Sequence, residues 1–117
     1  MSFLSTISRV ALLTVVAAPA VVAPLGAAVA AAPAKVQRVS IQNFAFSPQV
    51  IVVAPGTTVT WTNADEDPHT VVAVDKSFHS AAMDTDESYS FTFNKPGEFA
   101  YFCSLHPHMT GKVIVKG

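Results

Sequence analysis

The 117-residue sequence has one cysteine, few charges and no tract of basic residues, and each shortage excludes a class of protein. A single thiol cannot form an internal disulfide, so the chain is not a disulfide-stapled scaffold. Charged residues make up 13% of the chain, and from Lys35 onward six Lys and Arg stand against eight Asp and Glu, a net charge of −2. This mildly acidic balance argues against a nucleic-acid-binding protein.

The first thirty residues are almost free of charge. Arg9 is the one charged side chain before Lys35, and residues 10–34 are rich in Ala, Val and Leu. Ala28-Val29-Ala30 matches the cleavage pattern of a secretory signal peptide, which predicts removal of residues 1–30, with cleavage between positions 30 and 34. An uncleaved membrane anchor is the alternative, because the apolar run is long enough to span a bilayer. We therefore expect a periplasmic or secreted protein that contacts a membrane only if this segment is retained.

No segment after Lys35 has a helical period of useful length. Short runs rich in Val, Ile, Thr, Phe and Tyr alternate with Pro, Gly, Asn and Asp, which is typical of an all-β protein. Strands are predicted around residues 39–41, 49–53, 58–62, 71–74, 88–93, 99–103 and 112–116, with a long connection over 77–87. Val59 and Trp61 are predicted to point inward. About seven short strands in this length predict one domain over residues 35–117, a two-sheet Greek-key β-sandwich.

The only cysteine begins a Cys-x-x-His-x-x-Met motif formed by Cys103, His106 and Met109. Cys103 follows a predicted strand, and the chain leaving that strand can turn back so that the three side chains reach one point. His69, at the start of another predicted strand, offers a further imidazole. Two His, one Cys and a weak axial Met are the ligand set of a blue-copper electron-transfer site. The sequence therefore predicts that these four residues bind one copper ion.

Two catalytic alternatives use the same residues. Two His and one Cys with an open position can form a catalytic zinc site. A thioether is a poor zinc ligand, however, and Asp67, the nearest candidate base in sequence, is separated from His69 by a proline. A nucleophilic cysteine would need a base, an oxyanion hole and a cleft, for which a small domain has little room. We expect no enzyme, and we expect His79 and His108 to be exposed rather than ligands.

From Val39 to Val115 the sequence resembles the cupredoxins, the family of plastocyanin, amicyanin and pseudoazurin. The matching stretches are residues 43–48, 59–63, 68–71 and 96–111. The two-residue gaps in the Cys-His-Met motif are similar to those of amicyanin, whereas plastocyanin and pseudoazurin have a longer stretch between His and Met. The amicyanin group has an aromatic residue where this chain has His108.

The resemblance implies one type 1 copper ion and a soluble one-electron carrier that alternates between Cu(I) and Cu(II). The backbone N–H of Thr70 is expected to donate to the thiolate. Asn63 is expected either to cross-link the two ligand-bearing loops or to be an ordinary turn residue. The alternative function is periplasmic copper binding and trafficking, but the chain has no Met or His tract of the kind that such proteins often carry.

The expected partners are a redox protein donor and a redox protein acceptor. Leu105, Pro107 and His108 flank His106 and are predicted to form a small apolar rim for transient docking. Acidic residues within 65–67 and 84–87 either steer a basic partner or are solvated loop charges. We expect a monomer.

Overall fold

The computed structural model describes residues 14–15, 17–19 and 35–117. Proximity of Cα atoms divides the chain into two units, Met1–Ala30 and Ala31–Gly117, and the strands described below belong to the second. The predicted signal peptide, residues 1–30, lies almost entirely outside the described residues, so it and its cleavage site stay predictions. Within the described ranges, no helix is long and apolar enough to cross a membrane.

Residues 35–117 form eight strands in two four-stranded sheets. The strands are β1 (Val36–Gln42), β2 (Ala45–Ser47), β3 (Val50–Val53), β4 (Thr57–Asn63), β5 (Val72–Ala73), β6 (Ser88–Phe93), β7 (Gly97–Phe102) and β8 (Thr110–Val115). One sheet has the order β2-β1-β4-β6 and the other β3-β8-β7-β5. The β1–β4 and β3–β8 pairs are parallel, and the other pairs are antiparallel. The predicted all-β, two-sheet Greek-key β-sandwich is confirmed.

The sequence prediction missed β2, and the reason lies in the turn before it. Gln42 pairs with Ala45, so Asn43 and Phe44 form a two-residue hairpin loop. Their φ angles are 54° and 56°, as a type I′ turn requires at both positions. Gly is the favoured second residue of such a turn, and Phe44 stands there instead, so the usual hairpin signal is absent. The strand predicted over 71–74 is also shorter than expected, since β5 spans two residues.

The core lies between the sheets and is rich in aromatic rings. Val59 and Trp61 are fully buried, which confirms the alternation predicted for β4. The Trp61 ring centroid lies 5.4 Å from that of Tyr101 and 5.8 Å from that of Phe78, which joins β4 to β7 and to the connection after β5. Aromatic contacts of this kind add about 0.5–1.5 kcal/mol each beyond the apolar area they bury.

The outer face of the β4–β6 pair carries hydroxyl groups, as the alternation in β6 predicts. Three cross-strand hydrogen bonds of 2.8 Å join hydroxyls on the two strands: Thr58 with Thr92, Thr60 with Ser90 and Thr62 with Ser88. These pairs fix the register of β6 against β4, so that Phe93 on the opposite face is directed into the core.

The strand register brings two long loops to one end of the sandwich. Phe102 at the end of β7 pairs with Val72 of β5 on one side and with Thr110 of β8 on the other. The loop before β5, residues 64–71, therefore lies beside the loop between β7 and β8, residues 103–109. These two loops contain His69 and the whole Cys-x-x-His-x-x-Met motif.

Candidate metal centre

Cys103 and Met109 are placed by the way the 103–109 loop closes. Tyr101 and Cys103 share the inner face at the end of β7, and both are buried, as predicted. The N–H of His106 donates to the Cys103 carbonyl at 3.2 Å, and that of Met109 donates to the His106 carbonyl at 2.9 Å. The N–H of Cys103 donates to the Met109 carbonyl at 3.0 Å, which closes the loop. Met109, 5% exposed, therefore returns beside Cys103 as the spacing predicts.

His69 is fixed by backbone pairing with the long connection. Its N–H donates to the Met83 carbonyl at 3.1 Å, and its carbonyl accepts the Met83 N–H at 2.8 Å. The His69 side chain is fully buried. The long connection predicted over 77–87 therefore helps to build the site, because the backbone pairing of Met83 with His69 holds this imidazole beside the Cys103 loop.

Three donor atoms converge at this end of the sandwich. The Cys103 Sγ lies 3.8 Å from the Nδ1 of His69 and 3.8 Å from the Nδ1 of His106. One donor atom from each of the three residues lies within 4.8 Å of the others. Bond lengths of about 2.3 Å to sulfur and about 2.0 Å to nitrogen place S and N about 3.7 Å apart at 120° and about 3.5 Å apart at the tetrahedral angle. The observed spacing of 3.8 Å is close to both values, so the three residues could bind one ion as the His₂Cys part of a blue-copper site.

The environment of Cys103 stabilises its thiolate. The Thr70 N–H donates to Sγ at 3.4 Å, which confirms the expected contact, and the Thr70 hydroxyl lies at 3.7 Å. Burial raises the pKa of the Cys103 thiol. The Thr70 N–H, the nearby His69 and His106 rings and the Thr70 hydroxyl lower this pKa by more, to about 6. The thiolate is the form that binds metals.

Asp65 orients the buried imidazole, a role that the sequence reasoning missed. Its Oδ2 lies 2.8 Å from the Nε2 of His69, which leaves the Nδ1 of that ring facing Cys103. A carboxylate behind a metal-binding imidazole fixes the ring and makes it more basic. Burial raises the Asp65 pKa, but hydrogen bonds from the Phe44 N–H, His69 and the Asn43 N–H bring it below its ordinary 3.8. The side chain is 12% exposed, so Asp65 is not the solvated loop charge that was one of the two interpretations.

Asn63 forms hydrogen bonds within the loop that carries His69 and to the long connection, rather than to the Cys103 loop. Its Oδ1 accepts the Asp65 N–H at 2.9 Å, and its Nδ2 donates to the carbonyls of Asp67 and Met83, each at 2.9 Å. The fully buried Asn63 therefore stabilises the loop that carries His69 and ties it to the long connection. The interpretation of Asn63 as an ordinary turn residue is wrong. The expected hydrogen bonds to the Cys103 loop are formed by another residue.

Thr70 and Ser104 connect the two loops instead. The Ser104 N–H donates to the Thr70 Oγ1 at 2.7 Å, and the two hydroxyl oxygens are 2.7 Å apart. If the Ser104 hydroxyl donates to Thr70, the Thr70 hydroxyl is free to donate to the Cys103 sulfur. The sequence did carry a signal for this contact, because Thr70 directly follows His69 and Ser104 directly follows Cys103.

The remaining histidines lie elsewhere. His79 and His108 are both exposed, and neither belongs to the group of donor atoms around Cys103. His106 is partly exposed, whereas His69 and Cys103 are fully buried. The site is therefore closed on its inner side and reaches the surface through one imidazole.

Comparison with known proteins places this site in a family. The family model described as a cupredoxin-like domain matches residues 9–115. Amicyanin-alpha of Methylorubrum extorquens is 36% identical over 94 residues, covering 76% of this chain and 79% of the relative. The crystal structure of amicyanin from Paracoccus versutus is 36% identical with a TM-score of 0.65, covering 73% of this chain and 85% of that one. The structure of a Cu-containing nitrite reductase from Thermus scotoductus matches with a TM-score of 0.67 at 32% identity. The match covers 74% of this chain but 23% of the nitrite reductase chain.

The chain belongs to the cupredoxin-like family. The resemblance drawn from the sequence is confirmed, and with it copper as the cofactor, because one thiolate and two imidazoles meet at the expected end of the fold. These soft and borderline donors fit copper.

Proposed function

We propose that this protein is a soluble blue-copper one-electron carrier, with His69, Cys103, His106 and Met109 as the ligands of one copper ion. The observation that carries the proposal is the group of three donor atoms, two of them on buried residues, with nitrogen–sulfur spacings of 3.8 Å. Copper bound there would supply reversible one-electron chemistry between Cu(I) and Cu(II). Met109, buried where the loop closes, would supply the weak thioether of the set.

The protein's part in electron transfer is to keep the donor atoms still. The two imidazoles and the thiol stand on loops pinned by Met83, Asn63 and the Thr70–Ser104 contact. These contacts do not involve the sulfur and nitrogen atoms that would bind copper, so they would support the loops in either charge state of the ion. A single donor geometry would serve both Cu(I) and Cu(II), which limits the rearrangement of the protein that accompanies electron transfer.

Burial favours a carrier over a trafficking protein. Cys103 and His69 are both inaccessible to solvent, so a chelator or a delivery partner has no direct path to the two ligands. A protein that hands over its copper needs an exposed set of ligands that exchange quickly. Catalysis is not part of the proposal. The match to the nitrite reductase covers 23% of that enzyme's chain, so most of the enzyme has no counterpart in the match.

His106 is the proposed route for electrons, since it is the partly exposed member of the donor group. Leu105, which precedes His106, is 49% exposed, and Pro107 and His108, which follow it, are also exposed. These three residues form the proposed docking rim for a redox protein donor and acceptor. A small apolar contact with few ion pairs releases quickly, as electron-transfer partners must.

The docking proposal is tested by Leu105→Glu in the copper-loaded protein. A charge on the rim should slow electron exchange with the natural partner while the visible spectrum stays unchanged, because Leu105 supplies no ligand atom. Val52→Glu, which adds the same charge on the exposed side of β3, is the matched surface control. Exchange at the parent rate in Leu105→Glu would place the exit on another face.

We further propose export to the periplasm or secretion, with cleavage of the first thirty or so residues, and a monomeric mature chain. The uncharged stretch before Lys35 supports export, and the buried single thiol needs no disulfide partner. Mass spectrometry of the protein released from cells should give a start between positions 31 and 35. A chain that starts at Met1 and fractionates with membranes would show a retained anchor.

The copper assignment itself is tested by Cys103→Ser. The parent protein loaded with Cu(II) should have an intense visible sulfur-to-copper absorption and should lose copper slowly to a chelator. Cys103→Ser should lose the absorption and keep the β-sheet circular dichroism of the metal-free parent. A blue Cys103→Ser protein would refute the thiolate assignment, and a colourless, rapidly exchanging parent would favour trafficking.

A further inference from the structure

The ring of Phe44 stands edge-on to both candidate imidazole ligands. Its centroid lies 5.2 Å from that of His69, with an interplanar angle of 89°, and 5.0 Å from that of His106, at 84°. The two imidazole centroids are 4.9 Å apart. The three rings therefore form one cluster, and Phe44, 48% exposed, is its outer member.

The backbone holds Phe44 in this position against its own preference. Phe44 has a φ of 56°, which is uncommon for a bulky residue. The Asp65 carboxylate accepts the N–H groups of Asn43 at 2.7 Å and Phe44 at 2.9 Å. The same carboxylate contacts the Nε2 of His69. One side chain thus fixes both the hairpin that presents the phenyl ring and the imidazole that the ring contacts.

Phe44 also borders a cleft beside the site. This cleft, of about 150 Å³, is lined by Phe44, Phe46, His108 and Met109, among others. Phe44 thus lines the cleft and also contacts both imidazoles. Truncation of the ring would let water from the cleft approach the two imidazoles.

We propose that Phe44 is a positioning residue of the metal centre, whose ring fixes the two imidazoles and keeps water away from them. The inference rests on the proposed copper function. With a thiolate ligand the oxidised site carries one more positive charge than the reduced site, so water stabilises the oxidised site more. An apolar cover that excludes water therefore raises the reduction potential.

The test compares Phe44→Ala with Phe44→Tyr in the copper-loaded protein. Phe44→Ala should release copper to a chelator about tenfold faster, as expected for a group that supports metal ligands, and its reduction potential should be lower. Phe44→Tyr keeps the ring, and its hydroxyl can point to solvent, so it should retain the parent release rate and potential. Val52→Ala, a truncation at 52% exposure on β3, controls for loss of exposed apolar surface.

A second readout needs no metal. In the metal-free protein the ring protons of His69 and His106, whose ring centroids are 4.9 Å apart, should show a mutual NOE. Phe44→Ala should weaken that NOE, because the two imidazoles lose the ring that fixes them, and Phe44→Tyr should preserve it. This distinguishes ring positioning from a general loss of stability, which thermal unfolding of each variant measures separately.

The outcomes separate the two proposals. A blue parent protein whose Phe44→Ala variant keeps its copper release rate and potential would overturn the positioning role and leave the carrier proposal intact. An equal effect of Val52→Ala would also overturn the positioning role. A parent protein that forms no blue site would overturn both, whereas a specific loss in Phe44→Ala, rescued by Phe44→Tyr, would establish the role.

Discussion

Gly111 should be intolerant of even one added methyl group. It is the second residue of β8, just after the 103–109 loop, and pairs directly with Tyr101 of β7. A Cβ at Gly111 would lie 2.3 Å from the Cζ and 2.4 Å from the Oη of Tyr101. Ordinary contacts between such atoms are about 3.5–4.0 Å, so the ring or the strand would have to move by about 1.2 Å or more.

Tyr101 has little room to move, and this sets the magnitude. Its side chain is 1% exposed and lies in edge contact with Phe46 at 4.8 Å and with Trp61 at 5.4 Å between ring centroids. Overpacking a well-filled core costs about 1–3 kcal/mol. We expect Gly111→Ala to reach the upper end, about 3 kcal/mol. For a domain of this size that lowers the Tm by about 12–24 °C.

The assay is thermal unfolding of the metal-free protein, with the visible spectrum of the copper-loaded protein as a second measurement. Gly56→Ala is the matched control: Gly56 has a φ of 88° but nothing within 4 Å of its added Cβ, so it incurs backbone strain of about 1–2 kcal/mol without a clash. Pairing Gly111→Ala with Tyr101→Leu should recover part of the loss, because the smaller side chain leaves room. A Tm for Gly111→Ala equal to that of the parent would refute the reasoning.

Two further predictions concern the ligands. Met109→Gln replaces a thioether with a harder oxygen donor, which should favour Cu(II) and lower the reduction potential measured by voltammetry; an unchanged or raised potential would make Met109 a packing residue. In the metal-free protein, the Cys103 pKa of about 6 lies below its ordinary value of 9.0, so the unfolded chain binds more protons between these values. The unfolding free energy of the parent relative to Cys103→Ser should therefore rise with pH from about 6 to 9, and a flat difference would contradict the lowered pKa.

The sequence predicted those parts of the site that depend on local spacing. Strand alternation placed Trp61 and Cys103 on inner faces, and two-residue gaps were enough to predict that Met109 returns beside Cys103. Neither inference needs knowledge of which distant segments meet.

Contacts between distant segments were harder to predict. The Asp65 carboxylate contacts a hairpin 21 and 22 residues earlier in the chain, and Thr70 contacts Ser104 across 34 residues. No local pattern records such pairs, since the first depends on the register of β1 against β4 and the second on that of β5 against β7. Phe44 was missed for a different reason: it occupies a turn position where Gly is usual, so neither the turn nor its ring contacts had a recognisable signal.

The backbone of each candidate ligand is held by hydrogen bonds within the sandwich: His69 with Met83, Cys103 with Met109, and His106 with Cys103. These bonds join backbone groups and do not involve the sulfur and nitrogen atoms that would bind copper. The sandwich therefore contributes to ordering the two loops, which lowers the entropy cost that metal binding would otherwise have to offset. The same arrangement explains why contacts remote from the ion, such as that between Gly111 and Tyr101, should affect the spectrum as well as the stability.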